Sequence, residues 1–464
     1  MPDPRQPDLP GLPRHPRNPR LPALLARESA EAERRGPRSK AAYGRAEHLF
    51  GRVPMTWMNK NAGAYPRYLA TARGARVTDI DGHEYIDFCL GDTGAMAGHS
   101  PAPVAEAVRR RFTEQGGATA MLPTEDAEWV GAELTRRFGL ARWSFSLTAT
   151  DANRWAIRLA RAITDRPKIL VNSYSYHGSV DESLIVVGPD GTGTARPGNV
   201  GAPCEVTLTS RVAEFNDLAG LERELAHGDV AAVLMEPALT NIGIVLPEPG
   251  YLTGVRELTR RYGTLLINDE THTFSAGPGG CTAAWDLEPD LLTIGKAIGG
   301  GIPAGAYGLS AELADRLLAR ADLDLIDMGG VGGTLAGNAL SVAATRATLE
   351  HVLTDEAFAR MDTLSARFEA GVRIGIETYG LPWSVSRLGA RSEYRFTAPA
   401  PRTGTESEAA GDPELEDFLH LYLANRGILL TPFHNMALMC PDTTARDVDT
   451  HTELFAAALA ELTG

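Results

Sequence analysis

Short apolar runs alternate with helical patterns through the middle of the chain. Runs of strand length lie at residues 144–148, 168–172, 230–236, 264–268 and 291–295. Between the first two runs, Trp155, Leu159 and Ile163 recur at every fourth position, which predicts an amphipathic helix. Strands that alternate with helices are typical of a parallel sheet with helices on its faces. The pattern therefore predicts an α/β protein with a doubly wound, mostly parallel sheet.

Different patterns flank this predicted core. Residues 67–88 alternate like strands around the turn signal Asp81-Gly82. Beyond residue 340, helical periodicity returns around a group of shorter predicted strands. The predicted organisation is a disordered or helical leader at 1–50, a hairpin segment at 51–95 that joins the small domain, a large domain at 96–340, and a small α+β domain at 341–464.

Three segments are rich in proline, glycine or small polar residues. Residues 1–22 combine proline with arginine and contain little that could pack, so disorder is predicted there. The loop at 188–204 is predicted to be a flap near a ligand site. The insert at 398–412 is predicted to be mobile.

Composition and charge exclude several classes of protein. The net charge of −14 argues against a nucleic-acid partner, which would require a basic face. No apolar run reaches the ~18 residues of a membrane helix, and no apolar signal core is present, which predicts a cytoplasmic protein without a membrane partner. The cysteines lack the spacing of metal ligands, so reduced thiols and no metal site are predicted at Cys89, Cys204, Cys281 and Cys440.

An acid and a lysine stand where two of the predicted strands end. Asp269 follows the run at 264–268, and Lys296 follows the run at 291–295. Ligands bind at such carboxyl ends in parallel α/β sheets. Because the chain has 45 Lys+Arg and only four of them are lysines, a lysine kept in an apolar, glycine-rich context is predicted to serve as an amine. The alternative is a surface lysine in a loop.

Pyridoxal phosphate would use both residue types. Its aldehyde forms a Schiff base with a lysine, and its pyridinium nitrogen needs a carboxylate to stay protonated. The glycines at 299–301 would let the backbone approach such a cofactor closely. At 148–152 a turn precedes a helix, and the free N–H groups of a helix N-terminus favour a phosphate. The alternative for this turn is an ordinary N-cap.

Several motifs carry a family resemblance. They are the segment from Leu265 to Gly308, the Asp-Gly-x-x-Tyr-x-Asp-Phe sequence at 81–88, the aromatic-His-Gly sequence at 176–178, and Glu236-Pro237. Together they resemble the class III aminotransferases of pyridoxal-phosphate fold type I, closest to the branch of glutamate semialdehyde aminomutase and β-amino-acid aminotransferases. The resemblance covers roughly residues 50–460, and residues 148–152 depart from the family's Ser-Gly-Thr-Glu-Ala by an alanine in place of glycine.

The resemblance implies pyridoxal 5'-phosphate as cofactor and a set of residues that contact it. Lys296 would form the Schiff base and act as acid and base, while Asp269 would keep the ring protonated. The other implied cofactor contacts are Ala149, Thr150, Tyr176, His177, Glu236, Thr271 and Thr334. The last of these would reach the phosphate bound in a second subunit, which implies a homodimer with active sites at its interface.

Four residues are candidate substrate contacts: Asn241, Arg391, Arg395 and His434. Asn241 and His434 lie in segments that resemble loops around the family's active site. The guanidinium fork of arginine binds a carboxylate with two hydrogen bonds, which suggests an amino-carboxylate substrate. The alternative is that Arg391, Glu393 and Arg395 alternate along one solvated strand face.

The predicted function is that of an aminotransferase, which moves an amino group between a small-molecule amino donor and a keto acceptor through Lys296. One alternative is an aminomutase or an amino-acid racemase built on the same site, because these enzymes share every motif named above. A further alternative is a relative that binds pyridoxal phosphate without catalysis. Retention of both Asp269 and Lys296 argues against this last interpretation.

Overall fold

The computed structural model describes residues 18–201, 205–326 and 328–464. The predicted disorder of residues 1–17, the end of the predicted flap at 202–204 and the predicted thiol of Cys204 lie outside the described residues. Among the helices in the described ranges, none has both the length and the hydropathy that a bilayer span requires.

Helices and strands cover most of these ranges. The helices are α1 (Leu21–Arg35), α2 (Pro37–Arg45), α3 (Ala102–Arg110), α4 (Glu125–Phe138), α5 (Ala149–Thr164), α6 (Leu218–Leu225), α7 (Tyr251–Tyr262), α8 (Gly280–Ala284), α9 (Ala311–Leu318), α10 (Ala339–His351), α11 (Asp355–Thr378), α12 (Gly404–Ala409), α13 (Pro413–Ala424) and α14 (Ala445–Thr463). The strands are β1 (Leu69–Arg73), β2 (Arg76–Asp79), β3 (Glu84–Asp87), β4 (Arg142–Ser146), β5 (Lys168–Asn172), β6 (Ile185–Val187), β7 (Gly193–Ala195), β8 (Ser210–Ala213), β9 (Val230–Met235), β10 (Leu265–Asp269), β11 (Leu291–Ile294), β12 (Gly305–Leu309), β13 (Ser384–Leu388), β14 (Arg391–Arg395), β15 (Ile428–Leu429) and β16 (Met436–Leu438).

A seven-stranded sheet forms the centre of the larger unit. Its strand order is β4-β12-β11-β10-β9-β5-β8, and β12 runs antiparallel to both of its neighbours. The remaining pairs are parallel. Every residue of β9 is buried, as expected for a strand covered on both faces. The predicted mostly parallel sheet is confirmed.

Alternate residues of the central strands face two different cores. Ile169 and Val171 of β5 pack in one cluster with Ile157 of α5. Leu170, between them, packs in the other cluster with Leu258 of α7. Because side chains of a strand point to opposite faces in turn, these two clusters lie on the two faces of the sheet. The sheet is therefore doubly wound, as the sequence predicts.

The chain divides into two compact units. The first unit contains the described residues of 1–100 together with 360–400 and 409–464. It holds the sheets β1-β2-β3-β15 and β13-β14-β16, and the leader helix α1 packs within it through buried Glu28. The second unit contains the described residues of 101–359 together with 401–408. The α+β character predicted for the smaller domain is confirmed.

The insert predicted to be mobile contains a short helix, and its residues 401–408 belong to the second unit. Residues 404–409 form α12, and Ser407 Oγ donates a hydrogen bond to the backbone oxygen of Ile242 at 2.5 Å. Thr405 Oγ1 donates to the Glu214 carboxylate, which is largely removed from water. Composition does not reveal these two contacts, and the mobility of the insert stays a prediction.

Candidate functional site

The carboxyl ends of the parallel strands in the second unit bring the acid and the lysine to one sheet edge. Asp269 is the last residue of β10 and lies in register with Thr293 of β11. Lys296 comes directly after the turn that ends β11, and its φ of 50° lies in the left-handed region. A residue with a side chain is strained by about 1–3 kcal/mol in such a conformation, and this strain concentrates at functional sites.

Asp269 is buried and held by three hydrogen-bond donors. Its Oδ2 accepts from Asn153 Nδ2 at 2.9 Å and lies 2.9 Å from His177 Nδ1. Its Oδ1 accepts from the backbone N–H of Thr271 at 3.0 Å. Only 3% of the residue is exposed. The carboxylate is therefore fixed in orientation before any ligand binds.

These donors also determine the charge of the carboxyl. Burial raises the pKa of Asp269, but the hydrogen bonds from His177, Thr271 and Asn153 and the charge of His177 outweigh it, so the pKa lies below its ordinary value. Asp269 is consequently an anion at neutral pH. An anion fixed in this way can stabilise a proton on a ring nitrogen placed opposite it.

The start of α5 offers an anion site beside this edge. Thr148 is the N-cap, and its Oγ1 accepts a hydrogen bond from the backbone N–H of Asp151 at 3.1 Å. Ala149 and Thr150 occupy the first turn, where backbone N–H groups have no partner within the helix. Gly178 has a φ of 80°, and an added Cβ would lie 2.0 Å from Thr150 Oγ1. A glycine is thus required for the following loop to pack against this turn.

The described residues fit pyridoxal phosphate. A carboxylate has about four lone-pair sites, and Asp269 uses three of them, so a protonated ring nitrogen has an acceptor left. His177 Nε2 is buried and makes no hydrogen bond to any described residue. A helix N-terminus for the phosphate and an amine for the aldehyde belong to the same unit. The arrangement supplies one group for each reactive part of the cofactor.

The Lys296 amine contacts a histidine, whereas the other lysines have structural roles. Lys296 Nζ lies 3.0 Å from His272 Nε2. Lys40 forms an ion pair with Glu33, and Lys168, at the amino end of β5, pairs with Asp229. Lys60 lies over the ring of Phe433 at 5.0 Å. The position of Lys296 just beyond the carboxyl end of a strand distinguishes it from the other three.

Further predicted cofactor contacts lie in the same unit. Glu236 follows β9 and is 2% exposed, and it accepts a hydrogen bond from Thr240 Oγ1. Thr271 is buried directly after Asp269 and Glu270, while Tyr176 is half-buried in the loop after β5. Asn241 lies in the turn that follows Glu236 and is half-buried. Their contact with a ligand stays a prediction.

Thr334 lies on the surface of the second unit. It is exposed in the single chain, in the turn before α10. The second unit also exposes several large apolar side chains: Phe112, Met121, Leu122, Ile326 and Met328. An exposed threonine is available to a second subunit, and its predicted contact with a phosphate there stays a prediction.

The predicted substrate arginines are buried within the first unit. All five residues of β14 are buried, so the interpretation of this strand as a solvated face is wrong. Arg391 is 1% exposed and donates to Thr93 Oγ1. Arg395 Nη1 lies 3.9 Å from Glu416 Oε1. Burial raises the pKa of Glu416 to about 7, although the charge of Arg395 acts in the opposite direction.

His434 belongs to the same buried group in the first unit. It is 4% exposed, and its Nδ1 lies 3.4 Å from Glu393 Oε1. The Glu393 side chain is 1% exposed and makes no hydrogen bond to any described residue through either oxygen. Substrate contact by Arg391, Arg395 or His434 stays a prediction.

Two residues of the site have no counterpart among the sequence predictions. Asn153, on α5, is fully buried, donates to Asp269, and accepts from Thr293 Oγ1 at 2.6 Å. The sequence feature that could have identified Asn153 is an amide on a helix face that otherwise carries alanine and isoleucine. His272 contacts Lys296. Its signal is a histidine three positions after the strand-end acid.

Comparison with known proteins gives the family. The family model for class III aminotransferases matches residues 57–459. Glutamate-1-semialdehyde 2,1-aminomutase 2 of Geobacillus thermodenitrificans is 36% identical over 403 residues, which cover 85% of this chain and 91% of that protein.

Two solved structures are similar over nearly the whole chain. A glutamate-1-semialdehyde-aminomutase from Pseudomonas aeruginosa PAO1, a lysine-to-alanine variant in complex with PMP, has 49% identity and a TM-score of 0.93, with 96% of this chain and 98% of that chain covered. An omega-transaminase from Sphaerobacter thermophilus has 32% identity and a TM-score of 0.82, with 92% and 98% covered. These similarities confirm the predicted fold type I fold. The chain belongs to the class III aminotransferase family.

Proposed function

We propose that this protein is a pyridoxal-phosphate-dependent aminomutase, which exchanges an amino group and an oxo group between neighbouring carbons of one small substrate. The convergence of Lys296 and the buried anion Asp269 at one sheet edge carries the cofactor chemistry. The similarity to aminomutases, at 49% identity over 96% of the chain for a solved structure, favours this reaction over transfer between two substrates.

The cofactor is pyridoxal 5'-phosphate. When bound, it supplies an aldehyde that links to amines and a protonated ring that withdraws electrons from the carbon bearing the amine. Lys296 would hold the aldehyde through its amine, and Asp269 would face the ring nitrogen. The N-terminus of α5, with Ala149 and Thr150 in its first turn, would bind the phosphate.

The remaining steps would be carried out by residues of the chain. Lys296 would take a proton from one substrate carbon and return it to another. Asp269 remains an anion throughout, because His177 and Asn153 stabilise its charge. Asp269 is buried and Lys296 is half-buried, which limits the access of water to the reacting atoms.

Glutamate 1-semialdehyde is the substrate that the names of the similar aminomutases suggest. Exchange of its amino and oxo groups between carbons 2 and 1 gives 5-amino-4-oxopentanoate without any second reactant. Its remaining carboxylate requires a cationic or hydrogen-bonding partner. Arg391, Arg395, Asn241 and His434 are the candidates that the sequence supplies for this contact.

The reaction type is tested by omitting the keto acid. Purified protein incubated with glutamate 1-semialdehyde alone is expected to form 5-amino-4-oxopentanoate, measured by mass spectrometry. Nitrogen-15 in the substrate amine should be retained in the product, because the amino group stays within one pool. Lys296→Ala serves as the inactive control for spontaneous rearrangement.

A transaminase is the second candidate, favoured by the similarity to the omega-transaminase. It would leave glutamate 1-semialdehyde unchanged in the same assay and would transfer nitrogen-15 from an amine to pyruvate or 2-oxoglutarate. Inversion at the amine-bearing carbon without either transfer would identify a racemase. Cofactor binding without any turnover would identify a non-catalytic relative.

We also propose that the active form is a homodimer. The second unit exposes the large apolar side chains of Phe112, Met121, Leu122, Ile326 and Met328, and subunit interfaces commonly cover exposed apolar groups. If Thr334 of one subunit contacts the phosphate bound in the other, the cofactor binds the dimer alone. Cofactor at about 100 times its Kd should then strengthen association by at least roughly 100-fold.

Sedimentation of the cofactor-free and cofactor-loaded protein over a dilution series tests the dimer. Thr334→Ala should remove most of the difference between the two forms and should weaken cofactor binding. Ser341→Ala, in the adjacent helix α10, is the matched control, since its hydroxyl donates to Pro303 within the same chain. A fully active monomer in dilute solution would contradict the proposal.

A further inference from the structure

The contact between Lys296 and His272 has a consequence for the protonation of the amine. Lys296 Nζ and His272 Nε2 are 3.0 Å apart, which is the distance of a hydrogen bond. A protonated amine has three donors and no acceptor, and a protonated imidazole likewise has only donors. Such a contact needs an acceptor. At least one of the two groups is therefore neutral when they are in contact.

We propose that His272 is a positioning residue for Lys296 that shares one proton with its amine. Two arrangements satisfy the contact: an ammonium that donates to neutral imidazole, or a neutral amine that accepts from the imidazole N–H. The proton moves between Nζ and Nε2, and no other bond is made or broken. This inference rests on the proposed function, in which Lys296 is the reactive amine.

The backbone around His272 is fixed on both sides. The N–H of Thr271 donates to Asp269 Oδ1 at 3.0 Å, and Thr273 Oγ1 donates to Glu270 Oε2 at 2.5 Å. His272 itself is 9% exposed. The residues on either side of His272 are therefore anchored to two buried carboxylates. The 3.0 Å contact with Nζ locates the imidazole at the amine.

The other titratable groups at this sheet edge have hydrogen-bond partners of their own. Asp269 is bound by donors from α5 and the loop after β5, and Glu236 accepts from a threonine hydroxyl. Glu270 accepts from the backbone N–H of Thr282 at 2.6 Å, and burial raises its pKa. Burial and the charge of Glu270 hold the pKa of the Cys281 thiol well above its ordinary value.

A shared proton would assist the acid–base role proposed for Lys296. An amine attacks an aldehyde or accepts a proton from carbon only when it is neutral. A neutral imidazole in contact can take the proton that the ammonium must lose, and it can return the proton later. Histidine is suited to this task because its unperturbed pKa of about 6.5 lies near physiological pH.

The pair is tested on the cofactor-free protein by trace acetylation of its amines across pH, followed by peptide mapping. Labelling reports the neutral fraction of the Lys296 amine. If the pair shares one proton, the Lys296 amine is already partly neutral once the pair has lost one of its two protons, so labelling of Lys296 should rise in two steps. In His272→Gln, which can still form a hydrogen bond but cannot carry the proton, one step should remain.

His227→Gln is the matched control, because His227 is an exposed histidine of the same unit. It should keep both steps. A single step in the wild-type protein would overturn the inference, and this outcome needs no variant to fold. Two steps that persist in His272→Gln, or a step lost in the control as well, would also overturn it.

A different experiment tests the proposed function. Borohydride reduction of the cofactor-loaded protein and peptide mapping identify the lysine that holds the cofactor. If the label lies on a lysine other than Lys296, the proposed function is wrong whatever the acetylation curve. If the label lies on Lys296 and the curve has one step, the function stands and the role of His272 is refuted.

Discussion

Lys296→Ala is expected to abolish covalent retention of the cofactor and nearly all turnover. Alanine removes the amine and keeps the Cβ, so the strained backbone at this position is unchanged. A positioned acid or base contributes about 10²- to 10⁴-fold to rate, and turnover should fall by at least that factor. Single-turnover kinetics and borohydride reduction of the loaded protein measure both effects.

Lys168→Ala is the matched control for this change. Lys168 lies at the amino end of β5, away from the carboxyl ends of the strands where Lys296 lies, and it pairs with Asp229 at 3.3 Å. The pair is partly exposed, so its loss should cost at most about 1 kcal/mol of stability without affecting turnover. If the Lys296 variant still retained reduced cofactor, or if Lys168→Ala lost it, the reactive amine would be assigned to the wrong lysine.

The position of the candidate site was predictable because the local sequence indicates where the two strands end. An apolar run that stops at Asp269, and another that stops before Lys296, required only that both strands be parallel. The cap at Thr148 was equally local, since it depends on the next three residues. These parts of the site follow from neighbours along the chain.

Residues that act across the fold were not predictable in the same way. Asn153 reaches Asp269 only because α5 crosses the ends of β10 and β11. His272 reaches Lys296 because two separate strand ends lie side by side. Neither distance can be read from spacing along one segment. Both depend on the order of strands in the sheet, which the sequence pattern left open.

Gly300 in the glycine cluster has a packing role that the sequence analysis did not predict. Its predicted role, to let the backbone approach a cofactor, stays a prediction. An added Cβ would lie 2.4 Å from Thr348 Oγ1 and 2.8 Å from Val104 Cγ2. This glycine, with a φ of 56°, is required for packing against α3 and α10. The glycine indicates that the backbone lies close to another group, but the sequence does not identify that group.

Asp269→Asn is expected to lower kcat/KM by about 10²- to 10⁴-fold, which corresponds to the roughly 3–5 kcal/mol lost when one partner of a buried charge pair is removed. The amide has the shape of the carboxylate and no charge. It also has a single acceptor oxygen, whereas His177, Asn153 and Thr271 together present three donors. One donor must then face the amide nitrogen, which cannot accept.

The change at Asp269 should therefore appear in cofactor binding as well as in rate. Titration of cofactor-free protein with pyridoxal phosphate should give a raised Kd. The pKa of the ring nitrogen, followed by the absorbance of the bound cofactor, should fall because the nitrogen loses its neighbouring anion. Asp290→Asn is the matched control. Asp290 accepts from Leu266 N–H at 2.8 Å and pairs with Arg256 at the opposite end of the strands, so its amide variant should lose stability and keep cofactor affinity. If Asp269→Asn bound the cofactor with unchanged affinity and spectrum, Asp269 would not face the ring, and the acid at the end of β10 would have only a structural role.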